Sequence, residues 1–466
     1  MGKLYDSLKN YANDNVYPYH MPGHKRISCG YGDEDVLNEI FKIDITEISG
    51  FDNLNAPSGI IKESEDFAAK LYGSEHTHFL VNGSTVGILS AISALAHRGD
   101  KLIVARNCHK SVYHAAYLNK LRPEYVYPSF DHEYGINGVV EPSDIEAILR
   151  NSSNVAGIVI TSPTYDGVVS DVSAICKLAH GYDIPVIIDE AHGAHFGFEK
   201  HFPESSVKYA DIVIHSVHKT LPAPTQTALI HINSRLVTDD EVTRYIHIYQ
   251  SSSPSYILMA GIDRALDILN SEGEKRFQGL FDLRSHLTSN IKDLKHIIVC
   301  PYTEPGKLVI ALKETDKTGL WLSDELRDKY KLEMEMASSS YVLGILTMMD
   351  TKEGVERLIE ALKEIDNILC SESCGTNLSL NNYPHPAKEL EIFEAWDNEY
   401  TLSPINESVG KVAADFINLY PPGYPIIVPG EVISEEIVTL INDYIKRDYA
   451  VQGIIEGCVR VREWED

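Results

Sequence analysis

The chain has 466 residues, of which 41 are Lys or Arg and 68 are Asp or Glu, so its formal net charge is −27 at pH 7. This length corresponds to about two to four domains, and the absence of any Lys/Arg cluster argues against nucleic-acid binding, which needs a basic face. The sequence contains no run of about 18 apolar residues, which is the length that a membrane-spanning helix needs. The first residues lack the apolar core of a signal peptide. The seven cysteines are scattered along the chain, and we expect reduced thiols in the cytoplasm.

The N-terminal part is predicted to be an irregular arm over residues 1–55, because Pro18, Pro22 and Gly23 interrupt any regular pattern. A helix is predicted over Ile60–Tyr72, since its apolar positions follow helical spacing. Gly73 lies where a glycine commonly ends a helix.

Strand and helix patterns then alternate through residues 56–295. The predicted strands are Thr77–Val81, Lys101–Ala105, Ala156–Ile160, Val186–Ile188, Ile212–His215 and Thr227–Ile232. The predicted helices between them include Val86–Ala96, Pro142–Arg150 and Ser173–Tyr182. Nearly all-apolar strands are typical of a sheet covered on both faces. The alternation predicts a large α/β domain with a mainly parallel sheet.

The pattern changes after residue 295. A smaller α+β domain is predicted over 296–370, with strands Lys307–Leu312 and Tyr341–Thr347 and helices Gly319–Lys329 and Lys352–Asn367. Residues 371–388 lack periodicity and are predicted to be a linker. Residues 389–466 are predicted to form a C-terminal α+β domain.

The first candidate for chemistry is Lys219, which follows the strand Ile212–His215. Ligands of α/β proteins bind at the carboxyl ends of parallel strands, and a lysine amine forms Schiff bases with carbonyl compounds, including pyridoxal phosphate. A solvated loop lysine is the alternative.

Two further candidates follow other strands. Asp189 ends an apolar strand, and a buried carboxylate needs a cationic partner, for which a protonated pyridine nitrogen is suited. Asn82-Gly83-Ser84-Thr85 lies between a strand and a helix, where backbone amides and hydroxyls can bind a phosphate. The alternatives are ordinary helix caps.

Histidines form the last set of candidates. His109 follows the strand Lys101–Ala105, and its ring could stack on a heteroaromatic ring. His192 and His195 have helical spacing, but no carboxylate or HExxH pattern accompanies them, so we predict no metal site. A phosphate turn, a ring histidine, an aspartate and a lysine on strand ends of one sheet together match the needs of a pyridoxal-phosphate site.

With these residues, the sequence resembles the fold-type-I pyridoxal-phosphate enzymes and, within them, the ornithine/lysine/arginine decarboxylase family. The resemblance rests on motifs that extend over nearly the whole chain: His20–Lys25, Ala56–Lys62, Asn107–Ser111, Asp189–Gly193, Ser216–Thr220, Tyr420–Gly423 and Pro429–Glu431. It implies an aspartate-aminotransferase-like large domain.

The resemblance also implies roles for particular residues. Lys219 would hold the cofactor covalently, Asp189 would pair with the pyridinium nitrogen, and His109 would stack on the ring. The residues that the resemblance assigns to cofactor binding are Gly83, Ser84, Thr85, His109, Asp189, His192, Ser216, His218, Lys219 and Ser252. The stretch Ser251–Ser253 would reach the phosphate of a second subunit, which implies a homodimer or a higher homo-oligomer. Glu431 would lie near the cationic end of the substrate, although it could instead cap the helix expected from about Ser434.

The implied activity is α-decarboxylation of a basic amino acid in the cytoplasm, with arginine converted to agmatine for polyamine biosynthesis as the first choice. Lysine and ornithine are the alternative substrates. The resemblance is to the short family members without an N-terminal wing domain. An aminotransferase, an aldolase or a catalytically silent cofactor-binding regulator are more distant alternatives.

Overall fold

A computed structural model describes residues 2–13, 22, 36–371, 384–419, 425–446 and 449–463. Most of the His20–Lys25 motif and all of Tyr420–Gly423 lie outside the described residues, as does most of the predicted linker. No helix in the described ranges is long and apolar enough to cross a membrane.

The α-helices of the described residues follow in chain order. They are α1 (Lys3–Asn13), α2 (Val36–Ile43), α3 (Ile60–Tyr72), α4 (Gly83–Leu95), α5 (Lys110–Leu118), α6 (Pro142–Asn151), α7 (Val172–His180), α8 (Val217–Thr220), α9 (Asp239–Tyr249), α10 (Tyr256–Ile291), α11 (Gly319–Tyr330), α12 (Lys352–Ser371), α13 (Ile392–Trp396) and α14 (Glu435–Lys446). Short 3₁₀ turns occupy Ser206–Lys208 and Ile405–Glu407.

The strands are numbered in the same way. They are β1 (His76–Leu80), β2 (Lys101–Ala105), β3 (Arg122–Val126), β4 (Phe130–Asp131), β5 (Ile136–Asn137), β6 (Val155–Thr161), β7 (Val186–Asp189), β8 (Ile212–His215), β9 (Ala228–Ile232), β10 (Ile297–Val299), β11 (Lys307–Leu312), β12 (Met336–Ala337), β13 (Tyr341–Ile345), β14 (Tyr400–Pro404), β15 (Ile417–Leu419), β16 (Pro425–Ile427), β17 (Val451–Gln452) and β18 (Cys458–Arg462).

The chain divides into two compact units, each built from separate stretches of sequence. The first unit comprises Met1–Ala94, Pro185–Gly279 and Thr347–Met349. The second unit comprises Leu95–Ile184, Leu280–Leu346 and Asp350–Asp466. The domain boundaries expected from the sequence stay predictions.

In the first unit, β7 pairs with β8 in parallel, and β9 pairs in antiparallel fashion with both β8 and β1. Because β9 is reversed relative to both neighbours, β1, β7 and β8 run in one direction and end at the same edge. Every residue of β7, β8 and β9 is buried, as expected for strands covered on both faces. The polar residues that follow β1, β7 and β8 therefore lie at this edge.

In the second unit, β2 pairs in parallel with β3 and with β6. A separate antiparallel sheet has the order β10-β11-β13-β12. The C-terminal elements form two small antiparallel sheets, β14-β18 and β16-β15-β17. Buried apolar residues of β15, β16 and β18 pack there against α14.

Several predicted elements agree with the structure at both ends. The helix over Ile60–Tyr72 is confirmed, and Gly73 ends it with φ of 78°, a left-handed conformation that glycine adopts without a steric penalty. The strands Lys101–Ala105, Ile212–His215 and Lys307–Leu312 also match.

Two predictions about local structure are wrong. The N-terminal arm is not irregular throughout, because α1 and α2 lie within it. Leu4, Leu8 and Tyr11 are the buried residues of α1, and their spacing of four and three residues is the helical pattern that the prolines obscured. The helix expected from Val86 begins three residues earlier, so Gly83, Ser84 and Thr85 lie in the first turn of α4.

Candidate active site

The candidate site in the first unit begins with two neighbouring strand ends. Asp189 is the last residue of β7, and in the parallel pairing it lies opposite Ile214 of β8. The chain leaves β8 through Ser216 and enters the single turn α8, which contains Lys219. The predicted lysine and aspartate therefore follow adjacent strands at one edge of the sheet.

Lys219 contacts His192. Its Nζ lies 2.9 Å from His192 Nε2, and the imidazole is only 4 % exposed. When the lysine is an ammonium ion, Nζ donates to a neutral imidazole whose remaining proton is on Nδ1. This geometry lets a proton be held at either nitrogen of the pair.

Asp189 is a buried carboxylate. Its Oδ1 accepts a hydrogen bond of 3.2 Å from the Ala191 amide. Burial raises the pKa of Asp189, while the charge of Lys219 acts in the opposite direction. A desolvated carboxylate of this kind is stabilised in its charged form by a nearby cation. Asp189 therefore suits a cationic ring nitrogen.

The predicted phosphate turn contacts the lysine segment. Ser216 Oγ donates to Ser84 Oγ at 2.9 Å, and Ser216 is fully buried. Gly83 begins α4 with φ of 77°, and its amide donates to the Gln226 carbonyl at 2.9 Å. The helix N-terminus and the two hydroxyls lie together, which is an arrangement suited to an anion.

The structure gives the remaining predicted phosphate residues different environments. Nδ1 of His218 donates to the Thr227 carbonyl at 2.8 Å, and burial lowers the pKa of this imidazole. Thr85 and Ser252 are exposed. In the serine stretch, the Ser253 amide donates to Ser251 Oγ at 3.1 Å.

A buried hydrogen-bonded chain, which the sequence analysis missed, lies beside these residues. Glu190 Oε1 is 2.8 Å from His215 Nε2, and His215 Nδ1 is 3.0 Å from His231 Nε2. His231 Nδ1 is in turn 2.8 Å from Thr77 Oγ1. We name these four residues, Glu190, His215, His231 and Thr77, the histidine chain.

The histidine chain connects all four strands of the first unit. Glu190 also accepts hydrogen bonds of 2.9 Å from Ser205 Oγ and from the Ser206 amide. Burial lowers the pKa of His231 well below its ordinary value, and the neighbouring His215 adds to that effect. Neutral imidazoles that each donate toward Glu190 satisfy the whole chain. The only sequence signal was a single histidine in each of two otherwise apolar strands.

In the second unit, His109 is the N-cap of α5. It accepts a hydrogen bond from the Ser111 amide, and its Nδ1 lies 2.9 Å from Ser111 Oγ. The side chain is exposed. The capping role follows from the local structure, and stacking on a cofactor ring stays a prediction.

Glu431 is buried in the second unit beside an arginine that the sequence analysis did not single out. Arg106, which follows β2, donates to Glu431 Oε2 at 3.0 Å, and both side chains are 1 % exposed. The guanidinium also donates to the carbonyls of Pro425 and Ile426, at 2.7 and 3.2 Å. This pair, which we name the Arg106–Glu431 pair, joins residues 325 positions apart.

The alternative that Glu431 caps a helix is wrong. Its Oε2 accepts from the Val428 amide at 2.7 Å, whereas the amide of Ile437 in α14 donates to Ser434 Oγ. Burial raises the pKa of Glu431, and the charge of Arg106 opposes that shift. Glu431 Oε1 is buried without a hydrogen-bond partner, so the carboxylate retains one free acceptor.

Most of the chain is similar in sequence to known proteins. The family described as Orn/Lys/Arg decarboxylase matches its major domain to residues 2–315 and its C-terminal domain to residues 383–452. Proteins named arginine decarboxylase from Bacillus anthracis and Bacillus subtilis are each 31 % identical over 97 % of this chain, and the alignments cover 94 % and 95 % of those proteins.

A solved structure supports the fold. The lysine decarboxylase of Francisella novicida superposes with a TM-score of 0.83 at 19 % identity, over 99 % of this chain and 81 % of that one. The α/β fold predicted from the sequence, with a mainly parallel sheet of the fold-type-I class, is confirmed. From its sequence matches over nearly its full length, the chain belongs to the Orn/Lys/Arg decarboxylase family.

Proposed function

We propose that this protein is a pyridoxal-phosphate-dependent decarboxylase that converts arginine to agmatine. Family membership supports a decarboxylase of a basic amino acid, and the full-length relatives named arginine decarboxylase favour arginine. The observation on which the proposal depends most is the grouping of Lys219, His192 and Asp189 at one sheet edge, with the Ser84–Ser216 contact beside them.

The residues of the first unit fit the cofactor. Lys219 offers an amine for the aldehyde, and the buried Asp189 carboxylate suits a protonated pyridine nitrogen. Ser84 and Ser216, at the N-terminus of α4, suit the phosphate. His218, Gly83 and Thr85 complete the expected phosphate environment.

When bound, pyridoxal phosphate would supply an electron sink for the carbanion that remains after carbon dioxide leaves. The chain supplies orientation and proton control. Asp189 would favour the protonated form of the ring nitrogen, because a desolvated carboxylate stabilises a nearby cation. His192 holds a proton within reach of Lys219 Nζ, so it can assist as that amine gains and loses protons. The histidine chain fixes the strand ends from which Asp189 and Ser216 extend.

Substrate selection requires an acceptor for a cationic head group. We propose Glu431 for this role, because its Oε1 is buried without a partner. Arg106 already neutralises part of the carboxylate charge, so the contact would be weaker than one to an unpaired glutamate. Lysine and ornithine present an ammonium in place of the guanidinium and are the alternative substrates.

The active unit that we propose is a cytoplasmic homodimer. The exposed hydroxyl stretch Ser251–Ser253 would approach the phosphate bound by a second copy, as the family resemblance implies. Stacking of His109 on the cofactor ring belongs to the same proposal. The product amine would enter polyamine biosynthesis.

The proposal is tested by measuring carbon dioxide and amine release from arginine, lysine and ornithine in parallel, with cofactor supplied. We expect the highest kcat/KM for arginine. A preference for lysine or ornithine would retain the decarboxylase and correct the substrate. Lack of turnover with all three, by protein that retains bound cofactor, would refute the decarboxylase activity.

A further inference from the structure

A cavity in the first unit is lined by none of the residues assigned above to the cofactor. Its volume is about 330 Å³, which lies at the lower end of the range for small-molecule pockets. It lies between the loop that precedes α3, the strand β1 and the helix α9. The residues that line it include Leu54, Pro57, Glu65, Phe79, Thr243 and Ile246.

Two of the residues that line this cavity each carry a polar atom without a hydrogen-bond partner. Glu65 is 1 % exposed, and its Oε1 accepts a hydrogen bond of 3.0 Å from the Phe79 amide. Its Oε2 is buried with no hydrogen-bond partner, and the same holds for Thr243 Oγ1. Buried polar atoms without partners are rare, because each loses its hydration without compensation. The cavity therefore offers hydrogen-bond acceptors to a donor.

The charges around the cavity leave an excess of negative charge. His78 Nε2 lies 2.7 Å from Asp239 Oδ1, while His78 Nδ1 lies 3.8 Å from Glu65 Oε1. Lys62 lies 2.8 Å from Asp66 Oδ1 and also acts on Glu65 and Asp239. When all of these groups are ionised, three carboxylates face two cations, His78 and Lys62. Leu54, Phe79 and Ile246 give the cavity an apolar wall, while Asn55, His247 and Gln250 also line it. A carboxylate beside an apolar wall suits a cation that is attached to a short hydrocarbon chain.

We propose that this cavity binds a small aliphatic ammonium ion, whose N–H donates to Glu65 Oε2 and whose alkyl chain packs against Leu54, Phe79 and Ile246. The site does not depend on the reaction proposed above. None of the residues that line the cavity is among those assigned to the cofactor. A water molecule is the competing occupant, since it too could donate to Glu65 and Thr243.

Protonation gives this site a distinct signature. Burial raises the pKa of Glu65 to about 7, although His78, the Phe79 amide and Lys62 act in the opposite direction. Other groups that face this region are Asp66, Asp239 and His247. An ammonium ion favours the charged carboxylate, so its binding near pH 7 should release part of a proton from Glu65.

The test is isothermal titration of the cofactor-loaded protein with N,N-dimethylbutylammonium chloride, in two buffers with different ionisation heats. This tertiary amine cannot form a Schiff base with an aldehyde, so it does not react at the cofactor. We expect saturable binding with proton release near pH 7. The neutral alcohol 4-methylpentan-1-ol, which is similar in size, should bind at least about 10-fold more weakly, because it lacks the charge-assisted contact.

Variants locate the site. Glu65→Gln retains an acceptor for the Phe79 amide, and it should weaken binding by about 10-fold or more and abolish proton release. Glu63→Gln is the matched control, because Glu63 lies on the exposed side of the same helix, and its binding should equal that of the parent. If Glu65→Gln does not fold, Thr243→Val tests the same cavity and should weaken binding. Absence of binding by the parent, or binding to the Glu65 and Thr243 variants that is as tight as binding to the parent, would overturn the proposal and leave water as the occupant.

Discussion

The Lys219 region and the Arg106–Glu431 pair are both built on motifs that are visible in the sequence, yet they differ in how their polar residues are satisfied. In the first unit, predicted residues contact each other: Lys219 meets His192 and Ser84 meets Ser216. In the second unit, the predicted Glu431 contacts an arginine that belongs to no motif used here. A motif therefore does not identify every partner of the residues within it, as the contact between Glu431 and Arg106 shows.

The two regions should respond differently to substitution. We propose that the polar groups around Lys219 bind the cofactor, so changes there should affect chemistry more than folding. Arg106 and Glu431 are an internal ion pair, and breaking a buried pair leaves a charge without compensation. Changes there should affect folding more than chemistry.

The largest expected effect on activity is that of Lys219→Ala. It removes the amine that would hold the cofactor, and we expect kcat/KM to fall by about 10⁴-fold or more. Thermal stability, measured by calorimetry, should change little in comparison. Activity within a few-fold of the parent would remove Lys219 from the site and end the contrast between the two regions.

Arg106→Gln should produce the largest loss of stability. It leaves Glu431 buried without its cation, at a cost of about 3–5 kcal/mol. Arg150→Gln is the matched control, because Arg150 forms an exposed pair with Glu146, and exposed ion pairs contribute far less to stability than buried ones. Calorimetry should show a far larger fall in Tm for Arg106→Gln.

The double variant Arg106→Gln/Glu431→Gln should recover part of that loss, because it removes both charges. Equal Tm values for the Arg106 and Arg150 variants would show that the buried pair does not stabilise the second unit.

Glu431→Gln sharpens the comparison, because this residue belongs to the ion pair and is also the proposed substrate contact. We expect kcat/KM for the preferred amino acid to fall by about 10-fold, from the loss of one charge-assisted hydrogen bond, while the cofactor spectrum is unchanged. Unchanged kcat/KM in folded protein, with Tm lowered, would leave Glu431 with a structural role alone.

The smallest effect concerns the histidine chain. Because the pKa of His231 is lowered, the unfolded chain binds a proton below about pH 6.5 that the folded chain does not bind. Stability must therefore fall as the pH decreases through that range, by at most about 1.4 kcal/mol per pH unit for one proton. His231→Gln should reduce this acid-side slope in calorimetric scans from pH 7.5 to 5.5. An unchanged slope would mean that His231 is protonated in the folded protein.

The sequence predicted the elements whose patterns are local. The apolar runs of β7 and β8 and the glycine after α3 are signals contained in a short stretch of sequence. The positions of these elements could therefore be predicted without knowledge of distant residues. The polar residues at the strand ends followed from the same patterns, since parallel strands end at one edge. Their contacts in the first unit agree with that reasoning.

What the sequence could not predict depends on distant partners. Arg106 pairs with Glu431 across 325 positions, and nothing near either residue identifies the other. His215 and His231 are single histidines in otherwise apolar strands, and such a pattern is equally typical of isolated buried histidines. The helix α1 was missed because the prolines that follow it outweighed its apolar spacing.

The central claim is that Lys219 holds the cofactor, and chemical trapping tests it most directly. Reduction of the cofactor-loaded protein with sodium borohydride should fix the pyridoxyl group to a lysine, and peptide mass spectrometry should then locate it. We predict that the label lies on Lys219 and that Lys219→Ala takes up none. A label on another lysine, or an unlabelled Lys219 in protein that visibly contains the cofactor, would contradict the account.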